Sequence, residues 1–522
     1  MSARGEAAPE NPEPRKARSG DAGGGKPGAA NAGGEKAGSV QAPAKAGSAK
    51  AGSVEADSAK AGSVEAGSVE AGSVEAGSAK AGSAKAGSAK AGSAKAGSAK
   101  AGSAEAGSAK AGSAEAGSVQ APAKAGSGRL AGVDAVRGLA VLGMFAVHVG
   151  PSPQPEGAGY VLVAADGRAP ALFTLLAGFS LVLAQRGLDP AARPAGWAAR
   201  YRPLLIRCAV MAVLGLFLAS LWPGILVILA FFAVYFLAAE PFTRLSTPVL
   251  TAVAGVSVVA GPLLSFLLGP VFGYEASGRG LVPEAADLTS WAGLGTVLCE
   301  LLLTGAYPLA TYFPYILVGM ALARVCDIRE RTSALRMAAW GTAAAVAGYG
   351  SAWLATHVFG ARERLLASIA VHHPDALTAA DPVREVLRRQ YGAVPSTSWD
   401  WLLIADPYSQ TPPETLGNAG VGAALIGLCA LAARHRLGAR LLRPFTVLGA
   451  MALSAYVIHA LVLAGPAHGA ASWSAWLAFS TAALALTWAW QRACAGTPLR
   501  RGPLEHALRL ATQPRGRGPA IR

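Results

Sequence analysis

The chain has 522 residues, of which 52% are hydrophobic and only 15% charged, where an ordinary soluble domain carries about 25% charged residues. Mean hydropathy is +0.36, so a purely soluble globular class is set aside in favour of a membrane protein. The net charge of +15 does not point to nucleic acid, because the basic residues gather in the N-terminal tail and in short loops between apolar runs.

Residues 1–128 are low in complexity. From Ala37 onward repeats of AGSAK, AGSVE and AGSAE dominate, with a period of five. Five matches neither the helical period nor that of a strand. A Gly in each repeat weakens any helix by about 1 kcal/mol relative to Ala. With almost nothing large and apolar to bury, the tail is expected to be disordered, a flexible tether whose Lys residues can meet anionic lipid. The opening MSARGEAAPENPEPRKAR lacks an apolar core, so no secretory signal peptide is expected and the first apolar helix inserts the chain.

Residues 129–510 read as an all-α, polytopic membrane bundle. About ten transmembrane helices are expected, near 131–149, 169–186, 203–222, 224–240, 248–269, 306–323, 335–357, 415–433, 444–465 and 472–491, each close to the ~17–25 residues that a bilayer requires. A further apolar stretch at 291–304 reads as an eleventh span or a re-entrant helix. Arginine placement favours ten. Arg186, Arg193, Arg200 and Arg202 form one cluster, and Arg324, Arg329, Arg331 and Arg336 a second. Arg434, Arg436, Arg440 and Arg443 form a third, and Arg492, Arg500 and Arg501 a fourth. With ten spans all four lie in the cytoplasm with both termini, at the plasma membrane, and residues 511–522 form a basic cytoplasmic tail. LWPG at 221–224 marks a tight turn. The longest loop, 358–414, then lies outside, and its Trp399, Asp400, Trp401 and Asp406 suit a polar acceptor such as a sugar, or simply make a polar cap. Cys208, Cys299, Cys326, Cys429 and Cys494 stand singly, without metal-site spacing.

Three polar residues interrupt the first apolar run, VDAVRGLAVLGMFAVHVG: Asp134, Arg137 and His148. An Asp or Arg at a helix centre costs about 2.5–3.5 kcal/mol on insertion scales. At 100° per residue Arg137 and His148 fall about 20° apart and Asp134 about 60° from Arg137, so one stripe carries all three. A rise of 1.5 Å per residue separates Arg137 from His148 by about 16 Å along the axis. The stripe should face the bundle interior or a wet cavity. Arg137, toward the cytoplasm, is suited to hold phosphate or to pair with Asp134. His148, toward the outside, is suited to take a proton from a hydroxyl or amine. The plain alternative is a structural Asp134–Arg137 pair and an interfacial His148. Glu300 in LCELLLTG and His459 in SAYVIHALVL are further polar residues within apolar stretches. His372 and His373 adjoin in a loop, a poor ligand spacing. No metal site, glycine-rich phosphate loop or serine elbow is evident.

DAVRGLAVLGMFAVH resembles the opening helix of the transmembrane acyltransferase superfamily, whose branches include heparan-alpha-glucosaminide N-acetyltransferase and the acyltransferase-3 proteins. Arg137 and His148 meet the Arg, ten residues, His spacing of the latter. DGRAPALFTLLAGFSL (166–181) resembles the second-helix signature of the heparan acetyltransferase-like catalytic domain and of the bacterial domain-of-unknown-function 418 family. AYPLATYFPYILVGMALAR (306–324), SQTPPETLGNAGVGAALIGLC (409–429), RPFTVLGAMALSAYVIHALVL (443–463) and RGPLEHALR (501–509) resemble the C-terminal half of that bacterial family. The resemblance implies transfer of an acyl group from cytoplasmic acyl-CoA, acetyl-CoA foremost, to a carbohydrate, glycolipid or metabolite on the far side. It implies a site that includes Asp166, with the catalytic group, and Arg168, with Arg137 and Asp134 at the donor. The branches differ in which histidine acts, and His148 and His459 both stand as candidates. A non-enzymatic transporter or flippase on the same scaffold is the competing reading. Assembly of several copies is left open.

Overall fold

The computed structural model describes residues 130–152, 158–186, 197–272 and 281–513, with eight short strands between Lys45 and Ala96. Two units separate, 1–126 and 127–522. In the first, strands of two or three residues pair in parallel, as Val54–Ala56 with Val74–Ala76 and Val64–Ala66 with Ala84–Ala86. Each partner lies twenty residues further on (Val54 against Val74, Lys60 against Lys80). A period of five is foreign to a single strand, yet four such periods bring like positions into register. The expectation of a disordered tail otherwise lies outside the described residues.

The described part of the second unit is helical throughout. In chain order its helices are α1 (Ala131–Val149), α2 (Gly159–Ala165), α3 (Arg168–Arg186), α4 (Trp197–Ser220), α5 (Leu229–Ala239) and α6 (Thr247–Leu268). Then come α7 (Trp291–Cys299), α8 (Leu309–Val325), α9 (Arg331–His357), α10 (Ala361–His372) and α11 (Pro382–Arg389). The chain closes with α12 (Pro412–Ala432), α13 (Arg436–Ala450), α14 (Ala452–Ala464), α15 (Trp473–Ala493) and α16 (Pro503–Thr512).

Five of these, α1, α3, α4, α6 and α12, are long and apolar enough to cross a membrane, and the number rises to seven if each of two bent pairs counts as one span. The expected span at 224–240 is shorter than drawn, because a turn holding Trp222 and Gly224 at positive φ delays α5 until Leu229. Residues 291–304, the π-helical turn Glu300–Thr304 included, meet α8 at a bend of 52°. The expected span at 444–465 is two helices, α13 and α14, bent by 69°.

Small residues set the helix contacts. Gly341 and Gly348 of α9 face Gly420 and Gly417 of α12, and a Cβ on any of the four would come within 3.0 Å of the opposing atoms. Such small-residue seams let membrane helices approach backbone to backbone where no hydrophobic effect drives association. Gly138 and Gly449 do the same for α1 and α13, placing the carbonyl of Asp134 against Gly449. Apolar side chains such as Val213, Val256 and Leu486 point outward, as lipid contact requires.

The bend between α13 and α14 interrupts the backbone ladder and leaves polar groups that need partners. Two remote charges supply them. Arg137 Nη1 donates to the carbonyl of Gly449 (3.4 Å). From α16, Glu505 Oε1 accepts from the N–H of Leu453 (2.8 Å) and of Ser454 (3.1 Å), and the Ser454 hydroxyl donates to Oε2 (2.5 Å). The RGPLEHALR stretch is thus a cap for a broken helix.

Residues 358–411 are a packed cap with its own core of Leu365, Ile369, Val383, Val386, Leu387 and Trp401 around Phe266. The sequence left Trp399, Asp400 and Trp401 between an acceptor site and a plain polar cap, and their contacts in the structure are those of a cap. Trp401 is fully buried and donates to Thr397 Oγ1 (2.9 Å). Asp400 pairs with Arg364 (2.7 Å), and Trp399 lies against Phe266 (4.6 Å between ring centroids).

Candidate functional site

His148 ends α1 and His459 sits in the second half of α14. The fold joins them: His148 Nδ1 and His459 Nε2 are 2.9 Å apart, with the rings stacked at 5.2 Å and 9°. His459 is only 2% exposed and is flanked by Phe145 (4.5 Å) and Phe479 (5.3 Å). Its Nδ1 is buried without a hydrogen-bond partner among the described residues. His148 is half-buried, and its Nε2 makes no hydrogen bond among them. One imidazole is thus fixed in an apolar wall while the other presents a nitrogen beyond it. Two neutral imidazoles in contact share one proton, and which nitrogen holds it sets which can act as base.

At the other end of α1, Asp134 and Arg137 form the expected pair, Arg137 Nη1 to Asp134 Oδ1 at 2.6 Å. Arg137 Nη2 also donates to Ser180 Oγ of α3 (2.8 Å). With the bond to Gly449, the guanidinium ties α1 to α3 and to the α13–α14 bend. A second cation, Arg207 of α4, lies within electrostatic range of Arg137 and over the Phe236 ring (4.6 Å). The sequence signal for it was the arginine inside LLIRCAVM.

Asp166 and Arg168 flank Gly167, whose φ of 71° is open to glycine, and whose added Cβ would meet Pro407 (3.0 Å). Arg168 Nε donates to Tyr349 OH (2.9 Å) and Nη1 to the carbonyl of Val163 (2.8 Å). Asp166 lies near Tyr408 and in electrostatic range of Arg384, Arg168 and Arg388. Burial pushes its carboxyl above the ordinary carboxylate range, against the pull of those cations, Arg384 foremost among them. Asp406 is likewise pushed up, by burial first and by Asp381 next.

The start of α12 holds this mouth in shape. Thr411 caps the helix by accepting from Glu414 N (3.3 Å), and Glu414 reaches back to the N–H groups of Tyr408 (3.1 Å) and Gln410 (2.5 Å). That is a capping box extended over a turn. Tyr408 and Gln410 both have positive φ, 67° and 54°, a conformation that costs about 1–3 kcal/mol per residue away from glycine. The buried Glu414 carboxylate holds that strained turn, and the turn packs Tyr408 against Gly167 beside Asp166. Asn418 bridges Glu414 (3.2 Å), Tyr315 OH (3.2 Å) and Tyr349 OH (2.6 Å), and so reaches Arg168 through Tyr349.

The residues singled out in the sequence therefore fall in three places. His148 and His459 meet, Asp134 and Arg137 meet, and Asp166 with Arg168 lies at the mouth of α3. Glu300 belongs to none of them: it is buried in the π-helical turn, its carbonyl accepting from Gly305 N (3.0 Å). Sequence reasoning missed Arg384, Arg388, Tyr349, Tyr408, Glu414 and Asn418. The one available signal was TPPE, a helix start with its capping Glu. Among the described residues no group of three or more His, Cys, Asp and Glu side chains is placed to hold a metal ion.

Residues 129–359 match the family model described as heparan-alpha-glucosaminide N-acetyltransferase, catalytic. Residues 391–515 match that of a protein of unknown function, DUF418. The first match takes in Asp134, Arg137, His148, Asp166 and Arg168. The second takes in Tyr408, Glu414, His459 and Glu505. No curated protein matches the chain.

Proposed function

We propose that this chain, which belongs to the heparan-alpha-glucosaminide N-acetyltransferase-like, DUF418-containing membrane family, is an integral membrane acyltransferase. It moves an acyl group, acetyl foremost, from cytoplasmic acyl-CoA to a carbohydrate, glycolipid or metabolite on the other side. The observation that carries the reading is the His148–His459 contact at 2.9 Å, inside a chain whose residues 129–359 match an acetyltransferase catalytic domain. The topology that goes with it has about ten crossings, both termini and the arginine clusters in the cytoplasm, and the packed cap outside at the plasma membrane.

In the tautomer that serves, His148 Nδ1 donates to His459 Nε2 and leaves His148 Nε2 as a lone pair. An acceptor hydroxyl or amine there loses its proton to Nε2 as it attacks the thioester carbonyl. The carbon–oxygen or carbon–nitrogen bond forms, the carbon–sulfur bond breaks, and the proton returns to the CoA thiolate. His459 fixes the ring and stabilises the charge passing through it, the part an orienting third group plays in nucleophile–base pairs. Arg137 and Arg207, about 16 Å down the axis from His148 for the former, are placed for the phosphate-rich end of the donor.

The bent α13–α14 pair gives the transporter reading its own support, since broken helices line transporter sites. Purified chain in nanodiscs, given radiolabelled acetyl-CoA and a panel of sugars, separates the two. Labelled product that disappears in His148→Ala upholds the transferase. Flux in proteoliposomes that survives His148→Ala, with no acetyl transfer, overturns it.

A further inference from the structure

The bend at Met451 sets α13 and α14 in different attitudes. Just before the bend, Gly449 lies against Asp134 of α1, and further on His459 of α14 meets His148 of α1. From the bend, α14 therefore rises along α1, a helix long and apolar enough to cross the membrane. α13 is turned from α14 by 69°, so it lies nearer the membrane plane than its normal. Its contacts with α1 fall at Ala131, Asp134 and Gly138. Those are the first two turns of α1, which puts α13 at the depth of the interface.

Over residues 436–443 this helix has three faces. Gly438 and the partly buried Leu442 look to the bundle, where an added Cβ on Gly438 would meet the carbonyl of Ala432. Leu437 and Leu441 stand about 100° round from them, and are 68% and 63% exposed. Arg436, Arg440 and Arg443, all exposed, stand about 110° further round. One side rests on protein, one is apolar and one is cationic, as in a helix that lies within an interface.

The charge on the third face has nothing within the chain to balance it. From Thr415 to Leu504 there is no acidic residue at all. Arg436, Arg440 and Arg443 form no ion pair among the described residues. The cluster at 324–336 differs, for Asp327 and Glu330 stand inside it, and Asp327 Oδ1 accepts from the N–H of Arg329 (3.0 Å).

We propose that Arg436, Arg440 and Arg443 bind the headgroups of anionic phospholipids, with Leu437 and Leu441 seated among the acyl chains beside them. An anionic leaflet attracts each cation held near it, and a guanidinium meets a phosphate with parallel donors. The same helix carries Gly449, whose carbonyl accepts from Arg137, so the lipid seat steadies the bend that Arg137 ties to α1. Acyl transfer has no part in this binding.

Native mass spectrometry of the purified full chain in detergent, titrated with phosphatidylglycerol or phosphatidylcholine, reads the affinity for the first lipid bound. Wild type is expected to prefer phosphatidylglycerol, and to lose that preference at about 1 M salt before transfer to the spectrometer buffer, where screening falls to about 3 Å. One arginine near an anionic surface is worth about fivefold. Arg440→Gln should weaken phosphatidylglycerol by that factor and leave phosphatidylcholine unchanged. Arg436→Gln, Arg440→Gln and Arg443→Gln together should abolish the preference, and Arg440→Gln alone carries the test if the triple variant does not fold. Leu437→Ser with Leu441→Ser should weaken both lipids alike. The control, Arg329→Gln with Arg331→Gln and Arg336→Gln, should keep the preference. Equal affinity of wild type for the two lipids overturns the proposal, and so does a control that loses as much as the α13 triple. Displacement of phosphatidylglycerol by an equal concentration of glycerol phosphate overturns it too, since the leucines would then have no part.

Discussion

The two ends of the bundle use arginine in opposite ways. Around Asp134, the Arg137 guanidinium has a carboxylate at 2.6 Å, a hydroxyl at 2.8 Å and a helix-end carbonyl at 3.4 Å. Around Asp166, Arg384 and Arg388 have no ion partner among the described residues, and the carboxyl they face is pushed upward by burial. A charge within a membrane body is thus not by itself a sign of catalysis. Where the guanidinium is bound to a carboxylate, a hydroxyl and a backbone carbonyl at once, it holds helices together. Around Asp166 the arginines keep no ion partner among the described residues and stay partly open to solvent.

That contrast is sharpest in the histidines, which belong to the open end. His148→Ala should lower acetyl transfer by about 10²–10⁴-fold, the range for general acid–base catalysis, with insertion and melting temperature nearly unchanged. His459→Ala should lower it less, because His148 Nε2 survives. Rates measured with the same acetyl-CoA series check both, and a His459→Ala loss larger than that of His148→Ala would exchange their roles.

The engaged end should answer in stability instead. Arg137→Ala leaves Asp134 buried without its main counter-charge, a change that costs about 3–5 kcal/mol. Thermal melting in detergent should show that loss, and Asp134→Asn with Arg137→Gln should restore much of it. If Arg137 also holds donor phosphate, the double variant stays impaired in its KM for acetyl-CoA while folding well. A double variant with normal KM would confine Arg137 to architecture.

Smaller still is the effect at the far cap of the bend. Glu505→Ala strands two N–H groups and a hydroxyl, all only part-buried and so within reach of water, and should cost about 1–3 kcal/mol in all. Glu505→Gln keeps one acceptor and should cost less. The same melting series ranks the two, and equal melting would show that water replaces the carboxylate.

The smallest effect is at Asp166, and its sign is the reverse of the usual acid. A carboxyl whose native pKa is raised binds its proton more tightly when folded, so ionising it costs stability as pH rises above the unfolded value near 3.8. Asp166→Asn should therefore raise the melting temperature slightly at pH 7, and the gain should fade as pH drops toward 4. A stability loss at pH 7 would mean that the arginine attraction outweighs burial.

Much of this was legible in the sequence, and the limit has a physical cause. The runs behind α1, α3, α4, α6 and α12 show because length and apolarity are local properties. The Asp134–Arg137 pair shows because helical spacing fixes it. The break at Met451 does not show, since no proline or glycine sits at 450–452 and the groups that satisfy it come from α1 and α16. The meeting of His148 with His459 depends on that break, so both could be named as candidates but not brought into contact. For Trp401 two readings stood open, because an aromatic beside carboxylates looks the same whether it lines a sugar site or fills a small core, and the structure takes the cap. Arg384 and Arg388 looked like any surface arginines, and only their lack of partners in space separates them from Arg389.

The bend also has a consequence for how the protein is made. The first turn of α14 is completed by a carboxylate that lies 51 residues downstream of Ser454. At about 5–20 residues per second that carboxylate reaches the growing chain roughly 3–10 s after Ser454 does. Until then the N–H groups of Leu453 and Ser454 have no protein acceptor, and α14 has no reason to seat at its final height. His459 rides on α14, so the histidine pair should close only after α16 has docked. The last step of biogenesis is in this sense the step that assembles the site, and an unfinished chain in the membrane carries the histidines apart.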